Sequence, residues 1–523
     1  MTCVNPIIPG FAPDPTIVLI EDTFFLVNSS FHVFPGLPIY ASQDLVTWKQ
    51  IGNAINRRAQ LSLRRSPTGI FPLNGNGDVL VGTGGLYAPT IRYHGGTIFV
   101  VCTNITTPAA SSLGSASENF IVSTQDIWSG NWSDPVYFDF QGIDPSIFFD
   151  DDRRSYIQAS AAPGPMTKIH LFEIDLKTGQ KLSEEKMVWA GTGGVYPEGP
   201  HLYKKDGWYY LVISEGGTHA GHMVTIARSR AIFGPYEAFE GNPILTARRT
   251  GEYIQFTGHC DMFRDREGNW WGVCLGVRKD RAGRFIMGRE SFITPGKWSE
   301  GGWPSLEPVK SDPRGLPCQG RTAALVTTKP MVDFVYIRDA DLDDYMFSNG
   351  GRDIALKARR VDLVSPSESP TFIGKRQRQL EGVSSVWMTC PSPAQQSPTS
   401  SVKAGLAVYK DEHRHARVFY DDSQETALVF EVRNDAKRLH RTVKHVIEPG
   451  KHLALRLEYT EQQYRFSYRV PGIQSSAGWT SIGTLDTLDL TNFDFVGPII
   501  GIFAVAGEEE QPTTIHFSGL EID

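Results

Sequence analysis

The chain is poor in cysteine, with six in 523 residues (Cys3, Cys102, Cys260, Cys274, Cys318 and Cys390) and no C-x-x-C pair. That spacing excludes a zinc knuckle and a disulfide-dense scaffold, and free thiols in a reducing compartment are the simplest reading. The opening MTCVNPIIPGFAPDPT has no charged n-region and no apolar h-region before Pro6 and Pro9. No secretory signal is visible, so a cytoplasmic location is expected; the alternative is a secreted protein whose signal has been removed. Long apolar runs are missing too. The longest, FVGPIIGIFAVAG (495–507), is interrupted by Gly and Pro, and at about 13 residues it falls short of the ~20 of a spanning helix. Neither sign of charge dominates, since 51 basic against 58 acidic residues give −7. A nucleic-acid or anionic-lipid surface is therefore not expected. The basic stretch KRLHRTVKH (437–445) lacks interleaved aromatics and reads as a charged face. The glycines at 82–85 lack a Walker Lys-Ser/Thr and the Rossmann spacing, which argues against a nucleotide site. Helical periodicity is scarce, because Gly or Pro interrupts most windows long enough to carry it.

What the chain does have is 51 Gly, 33 Pro and an aromatic share of 11%, the composition of an ordered, turn-rich protein. It also has a repeat. DPTIVLIEDTFFLV (14–27), APTIRYHGGTIFVV (88–101), DPSIFFDDDRRSYIQA (144–159), EGPHLYKKDGWYYLV (198–212) and HCDMFRDREGNWWGVC (259–274) each read as a β-hairpin. Eleven residues after the start stand Phe25, Phe99, Tyr209 and Trp270, and Tyr156 follows one later in the remaining copy. The starts are separated by 74, 56, 54 and 61 residues, each enough for a four-stranded sheet, so the repeat predicts a five-bladed β-propeller over 1–320. PIYASQDLVTWKQIG (38–52) and ENFIVSTQDIWSGNWS (118–132) read as its outer strands, and SSLGSASEN (111–119) as a loop. Beyond about 320 the hairpins give way to alternating strands such as AGLAVYK (404–410), HLALRLEYT (452–460) and YRFSYRV (464–470), which predict a β-sandwich over 321–523. The Pro/Ser-rich PSPAQQSPTSS (391–401) reads as an exposed loop in it.

The repeat starts are Asp14, Ala88, Asp144, Glu198 and His259. Equivalent inner strands of a propeller begin around one end of the central channel, so three carboxylates and a histidine are expected to face one cavity. Like charges gathered in apolar surroundings cost stability, and sites that tolerate this are usually functional. Three carboxylates without a Ser or Cys nucleophile motif suit glycoside hydrolysis: one acid protonates the leaving oxygen, one carboxylate activates water or attacks the sugar, and the third raises the acid's pKa. Glu198-x-x-His201 has the spacing of a helical metal pair, but Pro197 and Pro200 deny it a helix. His413-x-His415 lacks a third ligand and reads as a solvated pair.

NPIIPGFAPDPTI (5–17), SSFHVFPGLPIYASQDLVTW (29–48), GGLYAPTIRY (84–93), IDPSIFFDD (143–151), YPEGPHLYKKDGWYYL (196–211), GGT (216–218), GHCDMF (258–263) and GRESFITPGKW (288–298) resemble glycoside hydrolase family 43, in its two-domain β-xylosidase and α-L-arabinofuranosidase branch. SPSESPT (365–371), KAGLAVY (403–409) and VGPIIGIFA (496–504) are similar to that branch's sandwich, a concanavalin-like jelly roll. The resemblance implies an inverting, exo-acting hydrolase with Asp14 as general base, Glu198 as general acid and Asp144 as pKa modulator. It implies that Arg289 hydrogen-bonds the terminal sugar, that Phe31 walls the pocket, and that His259 is a substrate neighbour or supports an axial ion, for which calcium is the expectation. No cofactor is needed for the chemistry. Tyr87 stands where this branch commonly has Trp, which bears on the choice between xylose and arabinose. The expected function is release of terminal β-1,4-linked xylose from xylo-oligosaccharides, with an α-L-arabinofuranosidase or a bifunctional enzyme on arabinose-decorated glycan as the close alternative. A retaining propeller hydrolase with Asp14 as nucleophile, a non-catalytic glycan-binding propeller, and assembly as a homo-oligomer stay open.

Overall fold

The sequence copies fold as hairpins because each places a short turn between two β-branched or aromatic runs. In 198–215 the turn is Asp206-Gly207, both left-handed (φ 52° and 72°), the backbone that a two-residue hairpin requires and that Asp-Gly favours. In the computed structural model the described residues are 4–73, 78–107, 116–161, 164–316, 325–391, 401–447, 452–471, 478–507 and 513–523. Among them helix is confined to short 3-10 turns, and no helix is long and apolar enough to cross a membrane.

The chain falls into two compact units, one of residues 1–65, 84–279 and 289–328, the other of 66–83, 280–288 and 329–523. The expected boundary at 320/321 lies outside the described residues, as do Cys3, Cys318 and all but the ends of 391–401. The remaining four cysteines are buried and free.

The first unit contains five antiparallel sheets, each starting at a repeat copy. Sheet I runs Thr16–Ile20, Thr23–Val27, Gly36–Ser42, Trp48–Ile55; sheet II Gly85–His94, Thr97–Thr106, Ala116–Thr124, Val136–Phe138; sheet III Gly142–Phe149, Ser155–Ala161, Lys168–Glu173, Lys186–Trp189. Sheet IV runs Glu198–Lys205, Trp208–Glu215, Met223–Ser229, Glu237–Ala238, and sheet V Ile254–Arg264, Trp270–Arg278, Glu290–Lys297, Ser305–Leu306. The five first strands touch in cyclic order and the last meets the first, which is the architecture of a β-propeller. Leu325–Thr327 pairs in parallel with Trp48–Gln50 at the outer edge of sheet I. The loop expected at 111–119 is corrected at its end: residues 116–119 pair with Thr103–Thr106 and extend the third strand of sheet II.

Apolar faces of neighbouring sheets supply the core. Phe138, Phe140, Ile147, Ile157 and Phe172 pack between sheets II and III; Phe148, Leu171, Leu211 and Ile213 pack between III and IV. The repeated aromatics bridge these seams: Phe25 meets Trp128, Phe99 meets Phe149, and Tyr209 meets Phe148.

The second unit is a β-sandwich. One layer orders the strands 334–337, 372–376, 499–506, 402–411, 414–421, 427–434, 439–446; the other orders 345–348, 353–357, 514–521, 382–389, 452–459, 463–469, 480–486. Leu406, Val418, Phe430, Leu455, Phe466 and Ile502 fill the space between them. The basic stretch at 437–445 forms much of an edge strand with mostly exposed side chains, as a charged face should. His413 and His415 do not form a solvated pair: His413 contacts Asp435 and the Thr68 carbonyl, while His415 is fully buried near Glu431. This unit also buries charge. Arg414 pairs with Asp411 and Asp494, and Lys410 donates to Asp494 over 2.6 Å.

Candidate active site

Each first strand of the propeller carries a left-handed residue, in sheet I just ahead of it: Asp14 (φ 51°), Ala88 (32°), Asp144 (55°), Gly199 (57°) and His259 (46°). In sheets II to V the pairing register breaks at this point, between Tyr87 and Thr90, Ile143 and Ser146, Glu198 and His201, and Gly258 and Asp261. Each break is a β-bulge, which re-aims a side chain out of the ladder. The bulge corrects the repeat alignment. The member of the ring in sheet IV is Gly199; Glu198 precedes it and shares its position with Pro13, Tyr87, Ile143 and Gly258. The left-handed backbone does not by itself demand glycine, since Asp14, Ala88, Asp144 and His259 share it; the close approach does, because a Cβ on Gly199 would lie 2.8 Å from His259 Nδ1.

The ring is stitched from sheet to sheet by polar side chains beyond the first strands. Ser29 Oγ donates to Asp14 Oδ2 at 2.5 Å and accepts from the Ala88 N–H at 2.7 Å. Thr103 holds Asn119, whose amide reaches the Phe140 and Gly142 carbonyls. Ser160 donates to the Pro197 carbonyl, Ser214 accepts from the His259 N–H, and Ser291 donates to the Ala12 carbonyl, closing the circuit.

Asp14, Asp144, His259 and Arg289 are all buried around this ring. Asp14 Oδ1 lies 3.9 Å from both His259 Nδ1 and Arg289 Nη1, and Arg289 is tethered by Thr218 Oγ1. Asp144 Oδ2 accepts from the Gly199 N–H at 3.0 Å. Burial raises the Asp144 carboxyl to about 6 against the favourable charges of His259 and Arg289. Glu198 is pushed well above the ordinary carboxylate range, first by burial and then by the charge of Asp144, with Asp14 a weaker contributor. Tyr87 meets Phe31 edge-on at 5.0 Å, and burial and the three carboxylates hold its phenol protonated. Phe31 is buried with φ 49° and exchanges backbone hydrogen bonds with Leu86. The geometry thus gathers every residue expected at the site on one face of the propeller.

Sequence reasoning missed two supports. Glu215, fully buried, accepts from Thr192 N and Oγ1, Gly194 N and Thr225 Oγ1, and so fastens the 191–194 loop that leads into Glu198. Beneath the ring, the residues two places after each bulge converge on the axis. Asp261 accepts from Thr16 Oγ1 (2.7 Å), Tyr203 OH (2.7 Å) and both terminal nitrogens of Arg92 (2.8 and 3.0 Å). His201 Nδ1 lies 3.1 Å from both Arg92 Nη2 and Ser146 Oγ, and burial lowers this imidazole to about 3, so it is neutral and accepts. Calcium takes six to eight oxygen donors. Here the axial carboxylate is already engaged by a guanidinium, and among the described residues no three His, Cys, Asp or Glu side chains gather to hold an ion. The residues present do not fit the expected calcium, nor His259 as its ligand.

The profile of glycosyl hydrolases family 43 matches residues 3–304, and that of the β-xylosidase C-terminal concanavalin A-like domain matches 327–523. The chain belongs to glycosyl hydrolases family 43. Family 43 relatives span both activities considered above. The chain is 31% identical over 525 residues to the non-reducing end α-L-arabinofuranosidase BoGH43B of Bacteroides ovatus, covering 95% of this chain and 90% of that one. It is 36% identical over 396 residues to a xylosidase/arabinosidase of Butyrivibrio fibrisolvens, covering 72% and 68%. Among solved family 43 structures, the xylan β-1,4-xylosidase of Bacillus halodurans C-125 superposes with a TM-score of 0.83 at 25% identity and 98% coverage of both chains. Family 43 glycosidases run their hydrolysis without a catalytic cofactor.

Proposed function

We propose that this family 43 enzyme releases terminal β-1,4-linked xylose from the non-reducing ends of xylo-oligosaccharides with inversion, residues 1–320 forming its catalytic domain and 321–523 its sandwich domain. The observation that carries the reading is the gathering of buried Asp14 and Asp144 with His259 and Arg289 around the ring, Asp144 accepting from the N–H of the residue after Glu198, whose carboxyl burial and Asp144 push well above the ordinary range. Asp14, with one oxygen fixed by Ser29, takes the proton of a water that attacks the anomeric carbon. The bond from that carbon to the leaving oxygen breaks as Glu198 passes its proton to the oxygen. Asp144 holds the Gly199 N–H and the acid's pKa, while Arg289, His259, Phe31 and Tyr87 contact the terminal sugar.

A second reading, terminal α-L-arabinofuranose, is favoured by Tyr87, a narrower ring than Trp beside the catalytic carboxylates, and by the arabinofuranosidase relative. Aryl β-xyloside, aryl α-arabinofuranoside and xylobiose assayed side by side separate the two. Proton NMR of the first-formed xylose tests the mechanism: inversion yields the α-anomer, and initial β-anomer would make Asp14 a nucleophile. Polymeric xylan should release monosaccharide with little early loss of viscosity; rapid shortening indicates an endo-enzyme.

A further inference from the structure

We propose that Tyr196 is the platform for the departing sugar, a binding position that rests on the glycosidase reading above and extends it to the leaving-group side. Tyr196 stands two residues before Glu198, at the end of the connection from sheet III to sheet IV. That connection, and the loops joining second to third strands within each sheet, open on the face where the first strands begin, which is the face of Asp14, Asp144 and Glu198.

Two of these loops fix Tyr196 in place. Its N–H donates to the Pro165 carbonyl at 2.9 Å, and the N–H groups of Gly216 and Gly217 donate to the neighbouring Val195 carbonyl at 2.7 and 3.3 Å. The ring lies over Gly217, where a Cβ would stand 3.8 Å from Tyr196 Cδ2. The next residue, Thr218, is the tether of Arg289. The aromatic ring is therefore bracketed by the Glu198 segment on one side and the Arg289 tether on the other.

The energetics point the same way. Tyr196 has φ 54°, a left-handed backbone that is strained for a bulky residue, and such strain clusters at binding and catalytic positions. Burial does not repay it, because the side chain stays 38% exposed and the adjacent Val195 42% exposed. A rigid ring with one apolar face and a hydroxyl at its edge suits the C–H face of a pyranose. Glu198 delivers its proton to the glycosidic oxygen, so the sugar beyond that oxygen must lie on the Glu198 side of the bond, beside this ring.

The test compares the parent with Tyr196→Ala and Tyr196→Phe on xylobiose and on β-D-xylopyranosyl fluoride, whose leaving group is one atom. Tyr196→Ala should lower kcat/KM about tenfold on xylobiose and less than about twofold on the fluoride, with Tyr196→Phe close to the parent on both. Equal losses on the two substrates overturn the inference, since a structural defect does not distinguish leaving groups. Unchanged activity on both overturns it as well. The parent's own choice of pentose tests the function reading separately: if it prefers arabinofuranosides, the same ratio is taken between arabinofuranosyl-xylobiose and the arabinofuranosyl fluoride.

Discussion

The backbone N–H of Gly199 hangs from the carboxylate of Asp144 across the seam between sheets III and IV, at 3.0 Å. One group on sheet III thereby governs both the position of the residue after Glu198 and the charge that Glu198 feels. The two effects separate in Asp144→Asn, because the amide oxygen still accepts the hydrogen bond while the charge is lost. Glu198 should then surrender its proton more readily, moving the alkaline limb of kcat/KM down by roughly one pH unit. An unmoved limb would remove Asp144 from control of the acid.

The same substitution has a sign in stability. Asp144 is raised to about 6 in the folded protein, above its unfolded value, so its ionisation costs the fold. That cost is absent below about pH 4 and complete above about pH 6–7. Asp144→Asn should therefore melt at a higher temperature than the parent at pH 8, with the difference gone at pH 4. Thermal melts across that range check it.

Glu198→Ala should depend on the leaving group. Loss of a general acid costs about 10²–10⁴-fold where the departing oxygen needs protonation, as in xylobiose, and much less for an activated aryl glycoside. Asp14→Ala should depress both alike. Equal losses in the Glu198 variant would assign the acid elsewhere.

Gly199→Ala puts a methyl group into the His259 ring in a left-handed backbone, and Gly207→Ala adds one to a left-handed turn beside the pliable end of Arg230. Both should lose about 1–3 kcal/mol of stability. Only Gly199→Ala should also lose activity in protein that is still folded. Denaturant melts paired with kcat would show otherwise if the two variants behaved alike.

Arg92→Leu leaves Asp261 buried without its cation. Removing one partner of such a pair typically costs 3–5 kcal/mol, roughly. Arg92 is the chief group holding the Asp261 carboxyl well below its ordinary range. The parent's gain from that depressed value is present above about pH 4 and fades as pH falls further, so the variant's deficit should be largest at neutral pH and shrink in acid. A deficit independent of pH would place the loss in packing.

Asp14 and Asp144 are legible in the sequence because each begins a D-P pair at the head of a hairpin, and the aromatic landmarks mark the seams between sheets. Glu198 is legible as a carboxylate but falls out of register, since Gly199-Pro200 is the true counterpart of Asp144-Pro145 and a bulge leaves no hydrophobic signature. Thr218, Glu215 and the stitching hydroxyls lie on second strands, loops and, for Ser291, a third strand, where the repeat is faint and small polar residues look like surface. Arg92 and the charged core around Arg414 are hidden for a related reason: composition cannot tell a buried ion pair from an exposed one.

The bulge also breaks a symmetry. Sheets I, III and V present Asp14, Asp144 and His259 on the left-handed residue itself, whereas sheets II and IV shrink that residue to Ala88 and Gly199 and present Tyr87 and Glu198 from the residue before. Two like carboxylates to which the proposed mechanism gives unlike tasks are thus set half a beat apart in chain phase, by a shift of one residue along a single strand.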